Sequence, residues 1–529
     1  MKKLLILLCC TGGLLVACHN SVKEIEPSEA FRNALDEVML RQPKDLKVKP
    51  DSLDRRKEPI ILKLSFDDCI ELAMTHNRAI LFEQLNAEVA RANVQGAKSN
   101  LDFTVGANLG YNRTEQAVQS RFPGDSRTKD ITAVTNFGIF ATLPFATGTT
   151  LDISGNFVRN DSNSPFQSFE FYPSTTLKVT QHLLNGFGFV PNLGNSWIAE
   201  NNLNVADWQV EVTRNEQALA VAMAYWNLVE AEQELDVLYR QEDLAKDALD
   251  LAKSRLEAEI GTRLDVLAQE ANLKAQQVSI IQAETLVEQR TDELLHAIHP
   301  DLIHGYALYD NYSIVIEPTT NADISRVGAD EPNLLAEVKA ALRRRPEIRQ
   351  AAKQIENAGI SINMSEYGLL PTLDLESSIT ISGYGKEFDD SLSSYNDFDN
   401  LKYGFDLRFG VPLQNSAARS SLTKAEISKR NAILSARETE TGVILEVAAA
   451  VRQIKSARRS VNAAEESRNL QAETYEAEQE RQKAGLATSF EVKQSLNDLT
   501  QAELALVKTK INLERARLQL QKATGELGR

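Results

Sequence analysis

The sequence predicts a mainly α-helical protein with a smaller β portion of the membrane-wall type, and three observations support this fold class. Heptad patterns indicate long coiled-coil helices, a two-residue alternation marks separate strands, and both patterns occur twice along the chain. The composition agrees, because only 6% of the 529 residues are aromatic and Gly and Pro are sparse for an all-β protein. We therefore expect an internal two-fold repeat of long helices and short strand regions.

Heptad seams run through the C-terminal segment and through an earlier copy of it. Large apolar residues recur every seventh position, and in the C-terminal copy a small or polar residue follows three positions later. This spacing predicts a left-handed coiled coil in which helices approach closely. Every residue of the earlier seam aligns with one of the later seam at a single constant offset. The two seams are Val492, Leu499, Leu506, Leu513 and Leu520, and Val266, Leu273, Ile280, Val287 and Leu294.

The helices that precede these seams are predicted to be very long. They run from about Asn195 to Ala258 and from about Ser416 to Lys483, so each is on the order of 100 Å long. A glycine-containing break follows each helix. Glycine allows both the left-handed backbone that reverses a helix and the close approach of a partner, so a simple turn and a docking site both remain open. The breaks are Ile260, Gly261 and Thr262, and Ala484, Gly485 and Leu486.

A different period marks the strands. From Phe103 onward apolar residues alternate with polar or small ones, and the alternation returns in the second copy. One apolar and one small polar face are typical of a barrel wall between lipid and water, and a soluble sandwich is the alternative. The predicted strand regions are residues 103–185 and 372–412. Between Ile131 and Asn160 the first region holds extra strand-like material, either another wall hairpin or an external lid.

The repeat boundaries follow from these patterns. We expect the first repeat at residues 61–300, an intervening segment at 301–333 and the second repeat at 334–529. In the helix that opens the second repeat, Leu342 to Ile348 align with Met74 to Ile80 of the first copy. The arginines of that helix, 343 to 345, are expected to form a solvated cluster at a helix end.

The N-terminus has the pattern of a secretory signal. Two lysines and a short apolar run lead to Leu15-Val16-Ala17-Cys18, which resembles the bacterial lipobox, in which the cysteine is lipidated. An ordinary signal peptide that contains cysteine is the alternative. We expect a lipoprotein signal at 1–17 and a lipid-anchored tether at 18–60. Of the remaining cysteines only Cys69 would stay beside Cys18, so no disulfide is expected.

Several function classes are disfavoured by the composition and motifs. A net charge of -16 argues against nucleic-acid binding, which needs clustered Lys and Arg. The chain has no nucleotide-binding loop, zinc-protease motif or nucleophile elbow, so neither an enzyme nor a cofactor is expected. His296 and His299 lack a third ligand, and the acidic stretch 389–400 lacks a spaced calcium loop. No metal site is predicted.

Taken in order, these features resemble the TolC family of outer-membrane efflux proteins over nearly all of the mature chain. The residues that carry the resemblance are Gln181 to Gly188, Val411-Pro412-Leu413, Leu370-Pro371 and the glycine turns. The chain departs from the family pattern at His182, where many relatives have Pro, and near Leu101, where the proline found at Pro371 is missing.

This resemblance implies a homotrimer with a twelve-stranded outer-membrane barrel in outer-membrane lipid and a long periplasmic α-helical barrel. The glycine turns would dock onto a periplasmic adaptor that serves an inner-membrane pump. The implied function is a passive exit duct for efflux or secretion, lipid-anchored at the outer membrane through Cys18. A non-conducting coiled-coil lipoprotein scaffold of the envelope is the alternative. The transported substrate is not determined by the sequence.

The resemblance also suggests an entrance site. Glu491 looks like an acidic position that narrows the periplasmic entrance in some relatives, and threefold symmetry would make it an anionic ring. The second acidic position of that pattern is Gln494 here, and Asp265 is the nearest equivalent in the first copy. An ordinary acidic residue at a helix start is the competing interpretation of Glu491 and Asp265.

Overall fold

The computed structural model describes most of the chain, in residues 60–118, 127–164, 169–259, 261–298, 314–320, 332–398, 400–484 and 486–527. The predicted signal peptide, Cys18, His299 and the turn residues Ile260 and Gly485 lie outside these ranges. The chain forms two compact units. The first unit combines Met1–Leu85, Glu216–Asp330 and Ile454–Gln519, and the second combines Asn86–Asn215, Glu331–Gln453 and Leu520–Arg529.

The first repeat contains helices, four long strands and two further helices. Its elements are β1 (Ile60–Leu64), α1 (Phe66–His76), α2 (Arg78–Lys98), β2 (Thr104–Ala117), β3 (Lys129–Pro144), β4 (Thr149–Ser162), β5 (Phe171–His182), α3 (Phe189–Glu257) and α4 (Arg263–Ile298). Ser65 begins α1 through a capping box with Asp68. The aligned segment Met74 to Ile80 was expected to lie within one helix, but Asn77 interrupts it with an extended backbone.

The second repeat has the same plan with fewer strands. It comprises β6 (Ile314–Pro318), α5 (Leu334–Arg344), α6 (Pro346–Tyr367), β7 (Thr372–Ser382), α7 (Phe388–Asn396), β8 (Asn400–Gly410), α8 (Ser416–Lys483) and α9 (Ser489–Thr524). Here too a continuous helix was predicted, and the chain is extended at Arg345 instead. Pro346 follows, and a proline disfavours the helical conformation of the residue before it.

The element bounds confirm the internal repeat. Asn77 and Arg345 interrupt equivalent helices, and the offset that relates them also relates the first residues of β2 and β7. The helices α4 and α9 have 36 residues each, and their first residues are related by the same offset as the two heptad seams. The hairpin of β3 and β4 lies where the offset changes and has no counterpart in the second repeat.

The six long strands form one antiparallel sheet in the second unit, in the order β2-β3-β4-β5-β7-β8. Continuous ladders join β2 to β3, β3 to β4 and β4 to β5. The segment from Ile131 to Asn160 therefore adds two strands to the sheet and is not a lid. The resemblance had implied four strands for each chain, and the described residues contain six. In the first unit β1 pairs in parallel with β6.

The heptad seams lie in the helical core. In α9 the seam residues Val492, Leu499 and Leu513 are buried, together with Ala516 and Ala523. Near the start of this helix, Val492, Leu496 and Leu499 pack with Tyr475 of α8 in the first unit. In α4 the matching residues Ile280 and Leu294 are buried. None of the described helices carries an apolar stretch that meets the requirements of a bilayer span.

The arginines at the end of α5 differ from the sequence prediction. Arg343 is exposed, but Arg345 is only 7% exposed and forms ion pairs with Glu347 and Glu446. Lys522 Nζ lies 2.6 Å from Glu446, so the carboxylate has two basic partners. The prediction of a solvated cluster is therefore wrong for Arg345. Its burial is stabilised by charged partners that a one-dimensional pattern does not reveal.

Candidate functional site: the helix turns and the two-faced sheet

The first helix turn joins α3 to α4 in the first unit. Its left-handed residue is Glu259, with φ of 58°, and not Gly261. The Gly261 N–H donates to the carbonyl of Arg255 at 3.0 Å. A Cβ atom at Gly261 would lie 3.1 Å from the Arg255 Cβ and 3.2 Å from its carbonyl carbon. Gly261 is therefore needed for close approach to the preceding helix, which corrects the expectation that it reverses the chain.

The repeat offset gives an alignment of the two turns that differs from the one obtained by matching their glycines. When the alignment of the two heptad seams is extended to the turns, Glu259 corresponds to Gly485 and Gly261 corresponds to Ala487. Gly261 and Gly485, which were expected to be equivalent turn residues, therefore occupy different positions in the two repeats. The heptad seams predict this alignment, because their constant offset also relates the first residue of α4 to the first residue of α9.

The candidate entrance acids cap the helices that follow the turns. Asp265 Oδ2 accepts hydrogen bonds from the Thr262 N–H at 3.1 Å and its hydroxyl at 2.6 Å. Glu491 Oε2 accepts from the Thr488 N–H at 2.6 Å and its hydroxyl at 2.9 Å. These bonds lower the pKa of both carboxyls. Each acid thus has a structural role at a helix start, and Gln494 donates to Asp498 at 3.0 Å.

Two arginines at equivalent positions lie beside these acids. The Arg255 guanidinium donates to the backbone carbonyl of Gln482 at 2.9 Å, which links the end of α3 to the end of α8. Arg481, its equivalent in the second repeat, contacts the Leu486 carbonyl at 3.4 Å. Each arginine also lowers the pKa of the acid in its own turn through its charge. Hydrogen bonds of the two arginines thus connect both turns with the ends of α3 and α8.

Both turns present large apolar side chains to solvent. Leu264 is 75% exposed and Phe490 is 74% exposed, and they occupy equivalent positions two residues after the capping threonines. Leu486 in the second turn is exposed as well. Leu264 and Phe490 belong to no recognisable sequence motif, although the repeat offset pairs them. Exposed apolar residues grouped at a surface typically mark a site of protein contact.

The sheet has two chemically different faces. In every ladder, odd-numbered residues pair with odd-numbered ones or even with even, so all six strands direct odd positions to one face and even positions to the other. The odd face is largely apolar and the even face is mostly polar. Exposed apolar residues of the odd face include Val105, Leu109, Tyr111, Ile139, Ile153, Leu177, Ile379, Leu401, Tyr403, Phe405, Leu407 and Phe409.

The even face carries a chain of ion pairs across three strands. Glu376 on β7 lies 3.1 Å from the Lys178 ammonium and 3.3 Å from the Arg408 guanidinium. His182 Nδ1 lies 2.6 Å from Asp374 Oδ1, so the residue that departs from the family pattern has a local partner. Such charges require water on their face, whereas the odd face suits lipid.

The short helix α7 covers part of the odd face. The Tyr395 hydroxyl lies 2.7 Å from the Thr175 hydroxyl, and the Phe388 ring lies 5.3 Å from that of Phe157 and 6.3 Å from that of Phe171. Because these contacts lie on β4 and β5, α7 leaves the outer strands β2 and β8 uncovered. The acidic stretch 389–400 is thus partly helical.

Metal-ligating side chains are not clustered in the part of the chain that the structure describes. Within the described residues, no group of three or more His, Cys, Asp or Glu side chains could hold a metal ion. Cys69 is fully buried, and burial raises the pKa of its thiol to about 12. A thiol in that state is a poor nucleophile. The candidate site therefore consists of the turns and the sheet.

Comparison with known proteins agrees with this architecture. The sequence pattern of the outer membrane efflux protein family matches residues 338–526. No curated protein sequence matches the chain. Among solved structures, the Campylobacter jejuni CmeC outer membrane channel is 15% identical, with a TM-score of 0.61 over 87% of this chain and 85% of that one. CusC is 13% identical, with a TM-score of 0.63 over 89% and 95%.

A third structure, the open state of the Neisseria gonorrhoeae MtrE outer membrane channel, is 16% identical, with a TM-score of 0.60 over 87% of this chain and 89% of that one. At such identities the likeness concerns the fold. It extends across both repeats, whereas the family match lies in the second. The second repeat thus matches the outer membrane efflux protein family, and the chain has the fold of outer-membrane efflux channels, which confirms its resemblance to the TolC family.

Proposed function

We propose that this chain forms the outer-membrane exit duct of a tripartite efflux or secretion system. Three copies enclose a water-filled passage, and substrates cross it passively from a periplasmic adaptor to the exterior. An inner-membrane pump supplies the energy. The lipid on Cys18 adds an anchor in the outer membrane, and the long helices extend into the periplasm.

The single observation that carries this proposal is the two-faced sheet. Its odd face exposes apolar side chains on all six strands, while its even face holds Lys178, Glu376 and Arg408 in contact. Lipid outside and water inside account for both faces at once. A scaffold that does not conduct has no need for a charged inner face.

Conductance of the purified protein in planar bilayers tests the duct. We expect stepwise currents from folded trimers, and larger or more frequent ones from the double variant Asp265→Asn, Glu491→Gln if the acids narrow the entrance. Amide oxygens still accept the capping bonds, so both helix starts are retained. Folded trimers that never conduct, even with both acids neutralised, contradict the duct and favour the coiled-coil lipoprotein scaffold.

The helix turns are the proposed docking site for the adaptor. Leu264 and Phe490 supply equivalent exposed apolar contacts, next to the glycine-containing segments 260–262 and 484–486. A photo-reactive residue at position 264 or 490 should capture the adaptor in cells. Leu470 of α8 is also exposed and lies away from the turns in sequence, so the same residue at position 470 is the matched control. Equal capture at all three positions contradicts docking at the turns.

Lipidation of Cys18 is tested separately. Labelled fatty acid should be incorporated into the parent protein and not into Cys18→Ala. The variant should still form trimers, since the strands and helices described above lie far along the chain from this position. Incorporation that is unchanged in Cys18→Ala contradicts the anchor.

A further inference from the structure

We propose that the duct is closed by hydrogen bonding between β2 of one copy and β8 of the next, which gives a barrel of eighteen strands in three copies. This inference rests on the proposed trimeric duct and specifies its wall. Each chain contributes six described strands in one sheet, two more than the resemblance implied. The partner of each sheet edge is therefore the opposite edge of a second copy of this chain.

Both edges of the sheet are free within the described residues. The order β2-β3-β4-β5-β7-β8 leaves one side of β2 and one side of β8 without a strand neighbour. Both strands are long, with 14 and 11 residues, which matches the length needed to cross a bilayer. In lipid, an open strand edge leaves backbone N–H and C=O groups without partners, so both edges must be paired.

The strand directions allow this closure. Because all five ladders in the sheet are antiparallel and the number of strands is even, β2 and β8 run in opposite directions. A contact between β2 and β8 of neighbouring copies thus continues the antiparallel pattern without interruption. If odd positions also face odd positions there, the apolar face remains outside around the whole ring.

The shift along the strands that accumulates across the five ladders fixes the register between β2 and β8 of neighbouring copies. Paired residues lead from Thr104 on β2 through Thr142, Asp152, Lys178 and Ser378 to Gly404 on β8. Gly404 lies six residues before Gly410, where β8 ends on the same side of the sheet as the start of β2. The end of β8 and the start of β2 lie at the same height along the barrel when Gly410 pairs with Thr104 of the neighbouring copy.

This register gives an acceptable barrel geometry. A stagger of six residues is about 20 Å along the strands, and six strand spacings are about 29 Å, which corresponds to a tilt of about 35°. Closed membrane barrels have tilts of about 35–45°. At that tilt eighteen strands give a diameter of about 34 Å between backbones, against about 22 Å for twelve. The added hairpin of β3 and β4 accounts for the difference.

Cysteine pairs across the proposed contact provide the test. In the proposed register Lys402 lies opposite Asn112 of the neighbouring copy, and both are even-face positions. In a Cys69→Ala background, the double variant Lys402→Cys, Asn112→Cys should form covalent trimers on mild oxidation, read on a non-reducing denaturing gel. The Cys69→Ala parent controls for any thiol at Cys18.

Two matched variants define the specificity. Tyr403→Cys with Asn112→Cys places the thiols on opposite faces, and Lys402→Cys with Asn136→Cys moves one thiol to β3, away from the edge. We expect at least tenfold fewer covalent trimers from each. Equal cross-linking in these controls, or none in any pair including Lys402→Cys with Thr114→Cys, overturns the closure. Stronger cross-linking of that last pair, which is shifted by two residues, overturns the register.

The outcomes separate this inference from the proposed function. Covalent trimers that do not conduct support the eighteen-stranded wall and count against the duct. Conducting trimers without any cross-link between β2 and β8 support the duct and overturn the wall proposed here.

Discussion

Thr262 and Thr488 occupy equivalent positions in the two repeats and cap their helices with the same set of hydrogen bonds. The hydroxyl of Thr262 lies 2.6 Å from Asp265 Oδ2, and that of Thr488 lies 2.9 Å from Glu491 Oε2. Each threonine also accepts a hydrogen bond from the backbone N–H of its acid, at 3.2 Å and 3.3 Å. The two turns therefore share one stabilising device, and its removal can be compared between repeats.

Replacing Thr262 or Thr488 by alanine should destabilise the start of α4 or α9 by about 1 kcal/mol, because a capping hydroxyl is lost. Serine keeps the hydroxyl and should cost much less. Hydrogen exchange of peptides that cover the two helix starts measures the effect locally. Faster exchange in the serine variant than in the alanine variant would contradict the capping role.

The first turn offers a test with opposite signs at neighbouring positions. Glu259→Gly should stabilise the protein by about 1 kcal/mol, because a non-glycine residue in the left-handed region is strained. Gly261→Ala should destabilise it by about 1–3 kcal/mol, because its Cβ meets Arg255. Unfolding by urea, followed by circular dichroism, gives both values. Destabilisation by Glu259→Gly would show that the side chain outweighs the backbone strain.

We expect the buried ion pairs of Arg345 to contribute more to the free energy of unfolding than the exposed side chain of Arg343. Arg345→Ala removes a partner of Glu446 and Glu347 from a buried site and should cost about 3 kcal/mol. Arg343→Ala changes an exposed residue at the end of the same helix and should stay within about 0.5 kcal/mol of the parent. The free energy of unfolding of both variants decides the matter, and similar values for the two would contradict the ion-pair role.

The stability should fall in acid because of lowered carboxyl pKa values. Burial opposes ionisation of Glu446, but hydrogen bonds from Lys522 and Arg345 hold its pKa below the ordinary 4.5. Since the folded pKa lies below the unfolded one, this contribution is complete above pH 4.5 and is lost as the pH falls through the folded value. Asp265 and Glu491 have the same sign.

The midpoint of urea unfolding, measured from pH 7 to pH 3, should therefore decrease mainly below about pH 4.5. Glu446→Gln should lower the midpoint at neutral pH and reduce its decrease in acid. Exposed Glu438 on the same helix is the control, and Glu438→Gln should follow the parent profile. An acid decrease of the same size in Glu446→Gln and the parent would contradict this assignment.

Adjacent residues of β4 test the two faces. Ile153→Arg places a charge on the apolar face and should cost about 2–4 kcal/mol in the bilayer, so the yield of inserted trimer should drop. Ser154→Arg changes the polar face of the same strand and should insert like the parent. Trimer yield in isolated outer membranes is the measurement. Equal yields from both variants would contradict a lipid-facing odd surface.

The helices and most strands could be predicted because their signals are local and periodic. The seam from Val492 to Leu520 needs only the seven-residue spacing, and the alternation after Phe103 needs only the two-residue one. The alignment of the two turns was harder to predict, because each turn contains a glycine but the two glycines occupy different positions. Gly261 and Gly485 were paired by residue type, while Glu259 holds the left-handed position.

Periodicity did not reveal the interruptions at Asn77 and Arg345. Pro346 is a local signal for the second, but the contacts that stabilise both lie far away in sequence. The Asn77 amide donates to Gln217 and to the Ala297 carbonyl, more than one hundred residues away. Arg345 depends on Glu446, which lies 101 residues away along the chain. Alternation detected the extra strand material after Ile131, but only pairing with β2 and β5 assigns it to the sheet.

The shared parity of the six strands also limits how this sheet can change in evolution. Adding or deleting one residue inside a strand would turn every later side chain of that strand inside out, so that charge would meet lipid and apolar groups would meet water. Substitutions that keep polarity, and length changes between strands, avoid this inversion. Sequence drift should accumulate in the connecting loops, while the strand lengths stay constant among descendants.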